Sequence, residues 1–145
     1  VKYLFLVNPC AGSGKGQHVW RTIQQLLPQT GIDHEKVEST HPGHPRELAQ
    51  WQAARRTDID CLIVIGGDGT LHEVIAGLIA SHRQPALPVA YIPAGTGNDF
   101  ARGYGISTQP RQALRQILDN DHQHIINVGR FTDQATKQSG IFINN

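Results

Sequence analysis

Apolar positions along the chain follow two alternating rhythms. Tyr3–Val7 is a continuous apolar run, the pattern of a strand covered on both faces. A Gly-rich turn follows at Gly12–Gly16. Val19, Trp20, Ile23, Leu26 and Leu27 then recur at helical spacing until Pro28 and Gly31, which are expected to stop the helix. Glu35–Thr40 reads as a second strand, although it is mostly polar. Pro42, Gly43 and Pro45 form a loop, and Arg46–Arg56 reads as a helix. Cys61–Ile65 is an apolar strand ended by Gly66-Gly67, and Leu71, Val74, Ile75, Leu78 and Ile79 form a helical stripe. Pro88–Ile92 is a further strand, closed by Pro93 and Gly95. Thr108 is expected to cap a last helix with Pro110 in its first turn, and Ala113, Leu114, Ile117 and Leu118 form its buried face.

Strands alternating with helices of this length imply right-handed crossovers and a parallel sheet. The predicted fold class is a three-layer, Rossmann-like α/β domain with a mostly parallel sheet. In such sheets ligands bind beyond the carboxyl ends of the strands. The turns at Asn8–Gly16, Gly66–Thr70 and Pro93–Asn98 each follow a strand and precede a helix, so they should converge on one edge. After the last helix the rhythm changes. Ile125–Val128 and Ile141–Ile143 read as strands around a polar turn, Thr132–Ser139, with no helix between them. The expected division is an α/β domain over 1–124 and the start of a second, β-rich domain over 125–145. The chain has no methionine and stops at Asn144-Asn145 just after an apolar run, as a piece of a longer protein would.

Length and charge narrow the reading. A chain of 145 residues suffices for one domain with a real core. A formal charge of +1, with no dense Lys/Arg block, argues against nucleic acid as a partner. Cys10 and Cys61 lie in or beside apolar runs and form no CxxC pair; both are expected to be reduced, intracellular thiols filling the core. No apolar stretch approaches the roughly 18–20 residues that span a bilayer, and Val1–Val7 lacks the marks of a signal peptide. The expected location is cytoplasmic, with any lipid met peripherally. The eight histidines fall at no metal-ligand spacing and are expected at the surface, His41 and His44 in the Pro/Gly loop included.

Candidate chemistry sits in the three turns. Crowded backbone N–H groups at a Gly-rich turn and a helix N-terminus bind anions, and the helix dipole adds to the attraction. Gly12-Ser13-Gly14-Lys15-Gly16 has this build, with Lys15 as a charge partner. It departs from a P-loop, because Pro9 and Gly16 stand where that motif needs Gly and Ser/Thr. It also misses G-x-G-x-x-G, since the third glycine comes one residue early. In the second turn Asp68 lies between glycines beside a helix start, where a carboxylate can hold Mg²⁺ next to nucleotide phosphates. The structural alternatives are a turn role for Asp68 and a capping box formed by Thr70 and Glu73. The third turn offers Thr96 between two glycines as a phosphate or ribose contact, while Asn98 or Asp99 can serve as an N-cap.

Together Asn8-Pro9-Cys10-Ala11-Gly12-Ser13-Gly14-Lys15, Gly66–Glu73 with the following helix, and Pro93–Ala101 resemble the three motifs of the diacylglycerol kinase catalytic domain family. That family is related to bacterial lipid kinases and to sphingosine and ceramide kinases. The resemblance implies ATP and Mg²⁺ as cofactors and γ-phosphoryl transfer to a lipid hydroxyl at a membrane surface, with diacylglycerol as the expected acceptor. The location implied is peripheral, at the inner face of the membrane. Carried over by motif, Asn8, Pro9, Cys10, Ala11, Gly12, Thr40, Gly67, Asp68, Gly69, Thr70, Leu71, His72, Glu73 and Thr96 would contact nucleotide. Asp68 would be the catalytic residue, near the ATP-bound metal; Thr40 rests only on its place after the second strand. The family's second, β-sandwich domain, which contributes to the lipid site, supplies the general base, so this half alone is expected to be inactive. A homodimer is compatible with the resemblance. Two other readings stay open: an NAD-kinase-like or dinucleotide-binding domain with Glu38 as the ribose acid, and a nucleotide-binding module without catalysis.

Overall fold

The computed structural model describes residues 1–119, 124–126 and 128. Four strands, β1 (Lys2–Val7), β2 (Asp33–Glu38), β3 (Cys61–Gly66) and β4 (Val89–Pro93), form one sheet in the order β2-β1-β3-β4. All three neighbouring pairs are parallel, as the alternation predicted. In β1 the side chains point alternately to opposite faces, and each face has its own core. Leu4 and Leu6 join Leu62, Val64 and Tyr91 under α2 (His44–Arg55) and α3 (Asp68–Ala80). Phe5 and Val7 join Ile63, Ile65 and Ile92 under α1 (Ala11–Thr30) and α5 (Pro110–Leu118). The result is helix–sheet–helix, with β1 and β3 central.

Several local expectations need correction. Pro28 does not end α1, which continues to Thr30 and closes on Gly31 at φ 69°. A proline three residues from the end removes only one hydrogen bond of the last full turn, and apolar Leu27 keeps that turn packed. At its other end α1 is not regular: Gly12, Ser13 and Gly14 all have positive φ, so the Gly-rich stretch is a left-handed turn placed before the helix proper. Thr108 does not cap α5; Gln109 occupies the cap position, and its backbone N–H donates to Ser107 Oγ. The capping box of Thr70 and Glu73 is also not formed, because Gly67 is the N-cap of α3 and has no side chain to offer.

The polar composition of β2 is explained by its place. It is an edge strand, and its side chains are exposed or half-buried along its length. The opposite edge, β4, is fully buried. Part of its cover is Ile126, which forms an antiparallel bridge to Val89, with Ile126 N donating to Val89 O at 2.7 Å. The expected strand Ile125–Val128 is not formed among its described residues, since Ile126 makes an isolated bridge and Val128 is helical; the expected strand at Ile141–Ile143 lies outside the described residues. A fifth helix, α4 (Asp99–Gly103), is one short turn following β4. Among the described residues no helix is long and apolar enough to cross a membrane.

At the amino ends of the strands, away from the Gly-rich turns, four charges interlock. Lys2 Nζ lies 2.6 Å from Glu35 Oε2 and 3.3 Å from Asp58 Oδ2, while Arg56 Nη2 lies 2.6 and 2.8 Å from the same two carboxylates. Hydrogen bonds from Arg56, then from Lys2, hold the Glu35 carboxyl down at about 2. Arg56 likewise holds Asp58 well below the usual carboxylate range. A carboxyl whose folded value is depressed stabilises the fold fully above its unfolded value of 4.5, and that contribution disappears as pH falls through about 2. Arg56→Gln should therefore shift acid unfolding to higher pH. Melting temperature measured across this pH range checks this, and the difference between variant and parent should shrink in about 1 M salt, where the screening length is about 3 Å. An equal acid midpoint in both proteins would remove the network from the stability of the fold.

Candidate nucleotide cleft

The strand order 2-1-3-4 reverses direction between β1 and β3, and at such a point the crossovers part and leave a crevice above the carboxyl ends. A cleft of about 650 Å³ lies there. Segments after all four strands line it: Asn8, Cys10, Ala11 and Gly12 after β1, Ser39–Pro42 after β2, Gly67–Thr70 and Glu73 after β3, and Gly95–Gly97 after β4. The predicted convergence of the three Gly-rich turns is thus observed, with the loop after β2 as a fourth wall. A volume of this size is within the range of cofactor pockets, roughly 300–1,000 Å³.

The walls brace one another. Asn8 Nδ2 donates to Thr70 Oγ1 at 2.9 Å, tying the first turn to α3. The carbonyl of Gly66 accepts from Ala94 N at 2.7 Å and from Tyr91 Oη at 3.0 Å. Gly95 N donates to Asn98 Oδ1 at 3.2 Å, so Asn98 closes the third turn on itself, although its side chain does not cap α4. Asp68 does that instead. Its Oδ2 accepts from Asp99 N at 2.8 Å and its Oδ1 from Phe100 N at 3.4 Å, across 31 and 32 residues of sequence. Tyr91 Oη approaches Asp68 Oδ1 at 3.5 Å; burial, reinforced by the Asp68 charge, raises this phenol above its ordinary value. Asp68 is therefore half-buried and already holds two backbone donors, a role that its turn position alone did not reveal.

Of the residues carried over by motif, Asn8, Cys10, Ala11, Gly12, Thr40, Gly67, Asp68, Gly69, Thr70, Glu73 and Thr96 line the cleft. Pro9, Leu71 and His72 do not. Leu71 is fully buried in the core, and His72 is exposed on another side of α3, as expected for successive positions 100° apart on a helix. Lys15 is exposed and is also absent from the lining. Glu38, the ribose acid of the dinucleotide reading, is held by Lys36 Nζ at 2.6 Å and lies outside the cleft. Cys10 is exposed at the rim rather than in the core, because the chain has left the sheet by then; Cys61 is buried, which pushes its thiol up to about 12. Both thiols are free.

Ser39, His41, Pro42, Pro45, Gly95 and Gly97 complete the lining and were not anticipated individually. His41 and His44 were expected only as surface residues, yet they organise the loop after β2. Their rings stack at 4.4 Å, and Thr40 N donates to His44 Nδ1 at 2.9 Å, setting Thr40 at the cleft. The spacing His41–His44 across Pro42 and Gly43 was the available signal, but ring stacking is a matter of tertiary geometry.

Among the described residues no lysine or arginine lines the cleft, and the lining includes the carboxylates of Asp68 and Glu73. A polyanion would therefore be held by backbone N–H groups and helix dipoles, together with a cation brought in with it. Among the described residues no cluster of three or more His, Cys, Asp or Glu could cage a metal. A single carboxylate suits Mg²⁺, which keeps waters and shares phosphate oxygens rather than filling an all-protein cage. Asp68, with lone pairs beyond its two backbone bonds, fits that requirement.

The second and third turns meet backbone to backbone. A Cβ added to Gly95 would lie 2.7 Å from Gly67 Cα, a backbone atom that has nowhere to move. Gly95→Ala should cost about 1–3 kcal/mol by overpacking, read as a lower melting temperature; an unchanged melt would show that the two turns separate freely.

With this geometry in place, comparison with known proteins is specific. The model of the diacylglycerol kinase catalytic domain matches residues 2–130. The chain is 34% identical over 140 residues to a diacylglycerol kinase of Bacillus subtilis (strain 168), covering 96% of this chain and 43% of that protein. It is 35% identical over 104 residues to sphingosine kinase 1 of Homo sapiens, covering 69% of this chain and 27% of that one. The crystal structure of a diacylglycerol kinase from Bacillus anthracis str. Sterne superposes with a TM-score of 0.67 at 32% identity, over 80% of this chain and 39% of that one. The chain thus spans less than half the length of each of these proteins, and it belongs to the diacylglycerol kinase catalytic domain family.

Proposed function

We propose that this chain is the ATP- and Mg²⁺-binding half of a lipid kinase that transfers the γ-phosphoryl group of ATP to a lipid hydroxyl, with diacylglycerol as acceptor and phosphatidic acid as product. The observation that carries this reading is the convergence of three family motifs on one cleft at the switch point of the sheet, with Asp68 at its centre. Phosphoryl transfer asks little covalent chemistry of a protein; it asks for in-line positioning and for neutralised charge. Backbone N–H groups at the start of α3 and in the Gly12 turn supply fixed donors for phosphate oxygens. Asp68 holds the metal-bearing end of the nucleotide, directly or through water. Bound there, Mg²⁺ would offset charge developing on the transferred phosphoryl group.

The acceptor oxygen forms a bond to the γ-phosphorus, ADP departs, and the hydroxyl proton needs a base. No residue of the cleft is assigned that task. We place it in a second domain, which residues 125–145 would begin. The working location is peripheral, at the cytoplasmic face of the membrane that carries the lipid. Support for lipid over NAD as acceptor comes from the third turn, Gly95-Thr96-Gly97-Asn98-Asp99-Phe100-Ala101, and from relatives that carry the names diacylglycerol kinase and sphingosine kinase.

Two measurements test the reading. The complete protein, supplied with labelled ATP and Mg²⁺, should phosphorylate diacylglycerol in vesicles in preference to sphingosine or NAD. Transfer only to NAD would refute the lipid assignment, and binding without transfer to any of the three would favour a non-catalytic module. Asp68→Asn should lower kcat by at least about 100-fold, the scale for removing one charge-stabilising group. The substitution also replaces one acceptor by a donor, so one of the two α4 backbone N–H groups loses its partner, at about 1–3 kcal/mol. A folded variant, shown by its melting transition, that keeps near-normal kcat would remove Asp68 from the chemistry.

A further inference from the structure

The loop between β2 and α2 forms one wall of the cleft through Thr40, His41 and Pro42. The chain leaves the sheet at Ser39, whose N–H donates to Val7 O at 2.9 Å, and α2 begins at His44. Between these points Pro42 has no N–H to give, and Gly43 turns the chain at φ 84°. A backbone bond from His44 N to His41 O, at 3.1 Å, closes that turn. Further ties pass through imidazole rings. Thr40 N donates to His44 Nδ1 at 2.9 Å, and Thr40 Oγ1 lies 2.9 Å from His41 Nδ1 and 3.3 Å from His44 Nδ1. The two rings stack at 4.4 Å and are 6° from parallel. His44 itself is half-buried and does not line the cleft.

A backbone N–H can only donate, so the bond from Thr40 N requires a lone pair on His44 Nδ1. A neutral ring supplies it with its proton on Nε2. Protonation puts an N–H on Nδ1, facing the Thr40 N–H, and replaces the bond by a repulsion. It also sets a positive charge on the first residue of α2, where the helix dipole opposes it, and against the stacked His41 ring. The charged groups of the surrounding elements are Arg46 and Glu47 on α2, Asp68 and Glu73 across the cleft on α3, and Lys36 and Glu38 on β2, which pair with each other. Among the described residues no carboxylate forms an ion pair with either ring. We propose that His44 is a positioning residue for Thr40: its unprotonated Nδ1 holds the loop after β2 against the cleft, and nucleotide binding weakens when the ring takes up a proton. This rests on the nucleotide reading above and adds a pH dependence to it. Affinity is full at higher pH, where the ring is neutral, and is lost as pH falls through the titration of the ring.

The test measures the Kd of ATP with Mg²⁺ for the complete protein, for His44→Asn and for His44→Phe between about pH 8 and about pH 5.5, where imidazoles change charge. Asparagine offers a carbonyl oxygen near the place of Nδ1 and does not titrate; phenylalanine keeps a ring for stacking but has no acceptor. At the higher pH His44→Phe should bind about 3- to 10-fold more weakly than the parent, the scale of one neutral hydrogen bond, and His44→Asn should recover most of that factor. As pH falls, the parent should lose about the same factor beyond any loss it shares with His44→Asn. Nitrogen chemical shifts of the His44 ring, read on the parent, do not depend on how a variant folds: Nδ1 should be the bare nitrogen of the neutral ring. A proton on Nδ1 of that neutral ring would overturn the proposal, as would His44→Phe binding as tightly as the parent at the higher pH. If the parent binds the nucleotide with the same pH slope as His44→Asn, this inference alone fails. If the parent binds no nucleotide at any pH, the nucleotide reading fails and this inference with it.

Discussion

Where β3 and β4 end, the backbones of Gly67 and Gly95 meet with no side chain between them, and Asp68 reaches from one turn to hold the N–H groups of the next. Most other features of the cleft follow from this junction. It fixes the start of α3 relative to α4, and so sets the spacing of the donors that face a phosphate. Tyr91 beneath it donates to the Gly66 carbonyl and keeps Asp68 in a drier setting than a turn carboxylate would have. A charge in such a setting interacts more strongly with whatever is bound beside it. The same carboxylate that ties the two turns together keeps lone pairs free toward the cleft it lines.

The two ends of the sheet divide the labour. At the carboxyl ends, loops of small residues leave a cleft whose described lining includes no lysine or arginine, so the fixed positive potential facing it comes from backbone N–H groups and helix dipoles. At the amino ends, Lys2, Glu35, Arg56 and Asp58 form a charged clasp with no part in the cleft. Surface ion pairs of this kind contribute modestly and are weakened by salt. Their separation from the cleft means that the clasp can be altered without touching the cleft's walls.

Among the described residues the cleft's lining carries His41, Asp68 and Glu73 but no lysine or arginine. The chain spans 43% of its Bacillus subtilis relative. Asp68 is positioned by backbone contacts within these residues alone.

Element types and their order were legible because hydrophobic period is local: β1, β3, α3 and α5 declare themselves in a handful of residues, and alternation alone dictates a parallel sheet. The Gly-rich turns were legible for the same reason, and a parallel sheet sends them all to one edge. Sequence reasoning failed where a residue's role is set by a neighbour distant in the chain. The motif did not show that the Leu71 side chain turns to the core and that of His72 to the solvent, as a helix with successive residues 100° apart requires. Pro28 sits inside α1 because packing of Leu27 outweighs one missing hydrogen bond. The polarity of β2 and the capping of α4 by Asp68, from 31 residues away, needed the sheet order and the fold before they had an explanation. The sequence by itself determined which segments could bind phosphate; tertiary structure alone decided which of their side chains face the cleft, because that choice depends on distances between strands that no local pattern encodes.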